Sequence, residues 1–125
     1  MQGLAHLYEW ASGGKQLTPA EVARLAVAGS DAAADKALLL HYRYLVRCAQ
    51  SLCVTLLLKD GVFWAGDNGV ANAAWIRRHE QELRHEFLHH HKAEWIQDTP
   101  LFIQTVQTNL NLVGAIYQAE LAHPK

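Results

Sequence analysis

Residues 77 to 92 hold five histidines, three glutamates and four basic side chains in the run Arg-Arg-His-Glu-Gln-Glu-Leu-Arg-His-Glu-Phe-Leu-His-His-His-Lys. This density of titratable groups raises two chemistries. His85 and His89, four residues apart, share one side of a helix and could hold a zinc ion, with Glu86 between them to polarise a bound water. Arg84 and His89 instead pair a permanent cation with a titratable imidazole, which raises the alternative of metal-free chemistry. The two readings share His89 and predict opposite responses to a chelator.

With Ile76 at zero on a helical wheel and about 100° per residue, Leu83 and Phe87 fall within roughly 20° of it. These three define the expected buried stripe. His85 and His89 lie on the far side, Arg84 at the edge, and His90 and His91 flank the stripe. The segment is expected to be an amphipathic helix with an outward histidine face.

Leu-Arg-His-Glu-Phe-Leu-His, residues 83 to 89, resembles the active-site helix of the zincin metallopeptidases. That resemblance implies His85 and His89 as zinc ligands and Glu86 as general base, with Glu94 or a distant residue as third ligand. Arg84-His85-Glu86-Phe87-Leu88-His89 is also similar to the RX4-6H motif of the HEPN superfamily of RNA-cleaving domains, which are small all-α bundles with the motif late in the chain. The resemblance implies a metal-independent ribonuclease, needing no cofactor, with Arg84 and His89 as catalytic residues. His89 would act as general base or acid on the 2′-hydroxyl or the leaving oxygen, and Arg84 would steady the charge building on the phosphate. Arg84 to His90 satisfies the looser form of the spacing, so the choice of histidine stays open. On a continuous helix Arg84 and His89 sit about 140° apart, and the family unites such residues by dimerising.

His85, His90, Arg43 and Arg47 are the candidate substrate contacts under this reading. The last two lie in His41-Tyr42-Arg43-Tyr44-Leu45-Val46-Arg47, which interleaves basic and aromatic residues in the manner of single-strand binding surfaces. A plainer account has Tyr42 in the core and both arginines reaching to solvent. The histidine segment has its own plain account, a solvated face laced by Glu80–Arg84 and Arg78–Glu82 pairs. A non-catalytic helical module, such as a small subunit of a ribonucleoprotein or defence complex, is the competing class of function.

The elements that must position these residues are helical. Leu17-Thr18-Pro19-Ala20-Glu21-Val22 carries a capping box with proline at the first helical position, and this helix is expected to stop at Gly29. A long helix follows from about Asp31 to Leu58, with Ser30 as candidate cap and Lys59-Asp60-Gly61 as its break. Its two apolar faces, Leu38, Tyr42, Leu45, Ala49, Leu52 and Leu56 on one and Leu39, Val46, Cys53 and Leu57 on the other, predict a central helix covered on two sides. Gly66-Asp67-Asn68-Gly69 opens the next helix, running through the histidines to about Ile96, and Thr99-Pro100 opens the last, fading near Leu121. A short helix precedes them all from Leu4 to Ala11. A strand is conceivable only between Cys53 and Trp64, as a hairpin. Val62-Phe63-Trp64 otherwise reads as loop aromatics tucked over a core edge.

The expected architecture is therefore all-α, one domain over residues 1–125, a bundle of four or five helices. Residues 99 to 119 carry no charged side chain. Interface cores are depleted in charge, so a homodimer through residues 100–121 is expected. RNA, a cognate antitoxin and complex subunits are the other candidate partners. At 125 residues with half of them hydrophobic and a net charge of −1, the chain can bury a core, and any contact with nucleic acid must come from a local patch. Cys48 and Cys53 match no metal or disulfide spacing and suit a reducing, cytoplasmic setting. With no charged-then-apolar leader and no long apolar run, the reading is a soluble protein without a membrane span.

Overall fold

The computed structural model describes residues 2–123. Among them lie seven helices and two short strands, in the order α1 (Gln2–Ser12), α2 (Pro19–Ala28), α3 (Ala32–Leu56), β1 (Val62–Trp64), α4 (Asp67–Arg78), α5 (Glu80–Leu88), α6 (Ala93–Ile96), β2 (Leu101–Ile103) and α7 (Leu110–Ala122). The mostly helical architecture agrees with the sequence, while the helix count exceeds the expected four or five.

The start of α2 follows the local chemistry. Thr18 accepts from the Glu21 amide and Glu21 reaches back to the Thr18 amide, with Pro19 between them. Gly29 closes the helix in the left-handed region at φ 68°. Asp31, not Ser30, caps α3, its Oδ1 accepting from the amides of Ala33 and Ala34 at 2.8 and 2.9 Å. A carboxylate takes both amides at once, whereas the Ser30 hydroxyl turns back to the Leu25 carbonyl. The backbone amide of Ala34 does most to hold the Asp31 carboxyl below its usual pKa.

Two breaks split the single helix expected from residue 66 to 96. At His79 the chain leaves helical geometry (φ −103°, ψ 15°), and the imidazole stacks on Trp75 at 4.1 Å with Nδ1 2.9 Å from Glu82. Past Leu88, the side chain of Gln50 on α3 donates to the carbonyls of Glu86, Phe87 and His89. A side chain thereby takes over carbonyls that a continuing helix would have bonded.

The last expected helix is displaced as well. Residues 101 to 103 form β2, which pairs in parallel with β1 in the register Val62–Leu101, Phe63–Phe102, Trp64–Ile103. The one stretch where the sequence makes a strand conceivable does hold one, but it pairs in parallel across a crossover supplied by α4 to α6 and not as a hairpin. Val62, Trp64, Leu101 and Ile103 face the helical core, and Phe63 and Phe102 stack on the outer side at 4.6 Å. Gly61 makes the entry to β1 possible: at φ 127°, a Cβ there would sit 2.7 Å from the Phe102 ring.

The core centres on α3, whose Ala34, Ala37, Leu38, Tyr42, Val46, Ala49 and Cys53 are buried with Trp75, Leu83, Phe87 and Ile96. Its polar atoms are matched. Asn72 donates to the Tyr42 hydroxyl at 3.1 Å, and the Trp75 indole donates to Asp35 at 2.7 Å. Both expected faces of α3 contribute to the core, Leu38, Tyr42 and Ala49 from one and Leu39, Val46 and Cys53 from the other, while Leu45, Leu52 and Leu56 are 39%, 53% and 61% exposed.

Candidate functional site

The histidine segment keeps the stripe expected of it. Ile76, Leu83 and Phe87 are buried, and His85 and His89 are exposed. Glu86, however, points inward and is 4% exposed. Arg43 and Arg47 of α3 clasp it, with Arg43 Nε and Nη2 at 2.8 and 2.7 Å from Oε2 and Arg47 Nε on Oε1. Burial alone would raise the Glu86 pKa; the hydrogen bonds and charges of the two guanidiniums outweigh it and hold the carboxyl below its usual range. Glu86 therefore lies in the helix packing as an ionised anchor, its two oxygens engaged by Arg43 and Arg47.

Arg84 is also committed to packing. Nη1 donates to the Thr99 carbonyl at 2.8 Å and Nη2 to the Gln97 carbonyl, and the guanidinium lies over the Phe87 ring at 5.2 Å. His89 is the C-terminal cap of α5, its ring 6.1 Å from His85. His90 accepts the Lys92 amide at 3.0 Å and stacks on His91. Neither Glu80–Arg84 nor Arg78–Glu82 forms an ion pair among the described residues; Arg78 donates instead to the carbonyls of Ala26 and Val27. No group of three His, Cys, Asp or Glu side chains converges to hold a metal ion among the described residues.

A different site emerges at the carboxyl ends of the two strands. β1 runs into Ala65-Gly66 and then α4, and β2 runs through Gln104 and a short loop into α7. Between them lies an open crevice of about 570 Å³, walled by Ala65, Gly66, Asp67, Gln104, Gln107 and Asn109 with the first residues of α7. Gln104 organises it. Its Oε1 accepts the Gly66 amide at 3.0 Å, and its Nε2 donates to the carbonyls of Val106 and Thr108 at 2.7 and 3.2 Å. Gln107 ties the second loop to Asp67 at 2.6 Å. Gly66 adopts φ 116°, and no side chain caps α4. The α4 N-terminus thus presents first-turn amides and the positive end of its dipole beside the crevice.

Open α/β sheets bind ligands in such a crevice, past the carboxyl ends of parallel strands, and a helix N-terminus there suits an anion. In the sequence, Gly66 to Gly69 reads only as a helix start, and neither Gln104 nor Gln107 stands out as a functional residue. The available signal was a short β-branched and aromatic run, Val62-Phe63-Trp64, followed at once by glycine and a helix. Three residues give too little alternation to mark a strand, and the partner strand lies far along the chain.

Comparison with known proteins identifies the lineage. The family described as Glucokinase matches residues 2–121. Over 105 residues the chain is 30% identical to the probable glucokinase 2 of Trichomonas vaginalis and 29% identical to that organism's glucokinase 1, covering 84% of this chain and 27% and 28% of theirs. The crystal structure of glucokinase from Balamuthia mandrillaris in complex with glucose superposes with a TM-score of 0.82 at 37% identity, over 95% of this chain and 34% of that one. Leishmania braziliensis glucokinase gives 0.80 at 29%, over 91% and 31%. The chain spans about a quarter to a third of the length of these relatives. These matches overturn the HEPN resemblance and, with it, the ribonuclease, the RNA partner, the non-catalytic module and the zinc hydrolase. The motifs that suggested them cover a few residues of one helix, and Arg84, His89, His85, His90, Arg43 and Arg47 take their catalytic and substrate-contact roles only under the ribonuclease reading. This chain belongs to the glucokinase family.

Proposed function

We propose that the chain forms part of a cytoplasmic glucokinase, which transfers a phosphoryl group to glucose, and that the crevice between Gly66 and Asn109 receives the nucleotide donor. The observation that carries this reading is the placement of the crevice past the carboxyl ends of both parallel strands, beside an uncapped α4 N-terminus. Phosphoryl transfer depends on positioning and on electrostatic stabilisation of phosphate oxygens, and backbone amides at a helix start supply both. The side-chain amides of Gln104, Gln107 and Asn109 add donors and acceptors suited to a ribose or a base edge. The free thiols of Cys48 and Cys53 fit the reducing compartment.

The test grafts residues 1–125 into Balamuthia mandrillaris glucokinase in place of the matched third and measures nucleotide-dependent phosphorylation of glucose. Gln104→Ala should raise KM for the nucleotide about tenfold and leave KM for glucose within about twofold. A graft that phosphorylates no glucose refutes the function. A Gln104→Ala effect confined to KM for glucose refutes the assignment of the crevice to the donor.

A further inference from the structure

Of the eight histidines, only His85 and His89 stand four residues apart. Both are exposed, and their near-parallel rings lie 6.1 Å apart between centroids. The histidine hydrogen bonds and ion pairs of the described residues fall elsewhere: His6 pairs with Glu9, His79 with Asp35 and Glu82, and His90 accepts the Lys92 amide. The ring nitrogens of His85 and His89 are therefore uncommitted. Glu86, between them in sequence, gives both oxygens to Arg43 and Arg47. The pair thus offers two imidazole ligands without a free carboxylate to act as general base. Imidazole suits late first-row divalent ions, whereas Mg²⁺ and Ca²⁺ take oxygen ligands. An ion about 2.0–2.1 Å from each nitrogen needs the two nitrogens within roughly 3.5 Å of each other. Exposed side chains one helical turn apart reach that by rotation about χ1 and χ2.

We propose that His85 and His89 form a two-histidine site for a divalent ion of the zinc, nickel and copper class, a site that binds the ion and carries out no hydrolysis. Water fills the remaining coordination positions. The ion spans the last turn of α5, where Gln50 takes over the carbonyls of Glu86, Phe87 and His89, and adds a second fastening to that helix end. The two rings meet only while residues 85 to 89 are helical, so the folded chain binds the ion more tightly than the unfolded one and is stabilised by it. The site shares no residue with the crevice between Gly66 and Asn109, and the proposal stands apart from the nucleotide assignment.

Calorimetric titration of Ni²⁺ into the 125-residue chain, free of any added histidine tag and near pH 7.5, where imidazoles are available as ligands, tests it. His85→Ala and His89→Ala should each weaken binding at least about tenfold, because the second ligand of a chelate acts at high effective concentration. His90→Ala and His91→Ala should leave it within about twofold. Both pair variants replace exposed side chains and should keep the metal-free Tm of the wild type, while Ni²⁺ should raise the Tm of the wild type and not of His85→Ala. Substoichiometric Cu²⁺, a paramagnetic probe, should broaden the amide resonances of residues 84 to 90 first. A loss of only about twofold in each pair variant, as expected when single histidines bind adventitious ions independently, overturns the proposal. So does broadening centred on His79 or on His91, or displacement of Ni²⁺ by Mg²⁺.

Discussion

Replacing Glu86 with Gln keeps its shape and removes its charge. Hydrogen bonds to a charged group contribute about 1.5–3 kcal/mol and neutral ones about 0.5–1.5, so losing the charge on both arginine contacts could cost about 2 kcal/mol or more. The arginine side chains are 45% and 57% exposed, and solvent screens their half of each pair. The net cost expected at neutral pH is about 1–2 kcal/mol, or roughly 3–8 °C of Tm for a chain of this size. The effect must depend on pH. Folding lowers the Glu86 pKa, so its contribution is fully present above the unfolded value of about 4.3. It fades as pH falls through the lower folded value, where Glu86 protonates in both states. Thermal melts of wild type and Glu86→Gln at pH 7 and in acid measure this, with the exposed Glu94→Gln as control, expected within about 0.5 kcal/mol. A destabilisation that persists unchanged in acid, or none at pH 7, would refute the clasp.

Phe87 is fully buried, so Phe87→Ala should cost about 3–5 kcal/mol in a denaturant titration, against little for the exposed His85→Ala. Gly61→Ala meets both a positive φ and the Phe102 ring; a loss of about 1–3 kcal/mol is expected from the strain alone, and a neutral result would place β1 differently. Burial raises the Cys53 thiol pKa, while Cys48 is exposed, so a thiol reagent near pH 8 should modify Cys48 first, as peptide mapping would show.

Local signals carried much of the fold. The Thr18–Glu21 box, the Gly29 stop and the Ile76, Leu83 and Phe87 stripe each depend on residues a few positions apart, and all three stand in the structure. Parallel pairing of Val62–Trp64 with Leu101–Ile103 joins distant segments too short to show a period, so the crevice at their ends had no visible frame. The histidine motifs misled for a related reason. Whether Glu86 faces a metal or the core depends on Arg43 and Arg47 arriving from α3, and spacing along one helix carries no such information. The uncharged run from 99 to 119 holds a strand, Leu101–Ile103, and then a helix that begins at Leu110 rather than at Pro100.

Backbone amide resonances of the 125-residue chain, followed while a nucleoside triphosphate and glucose are titrated separately, test the central claim most directly. The nucleotide should shift Ala65 to Gly69 and Gln104 to Asn111 together, glucose should not reproduce this pattern, and Gln104→Ala should weaken it. Nucleotide-induced shifts centred on His85 to His91, with the strand ends unmoved, would contradict it.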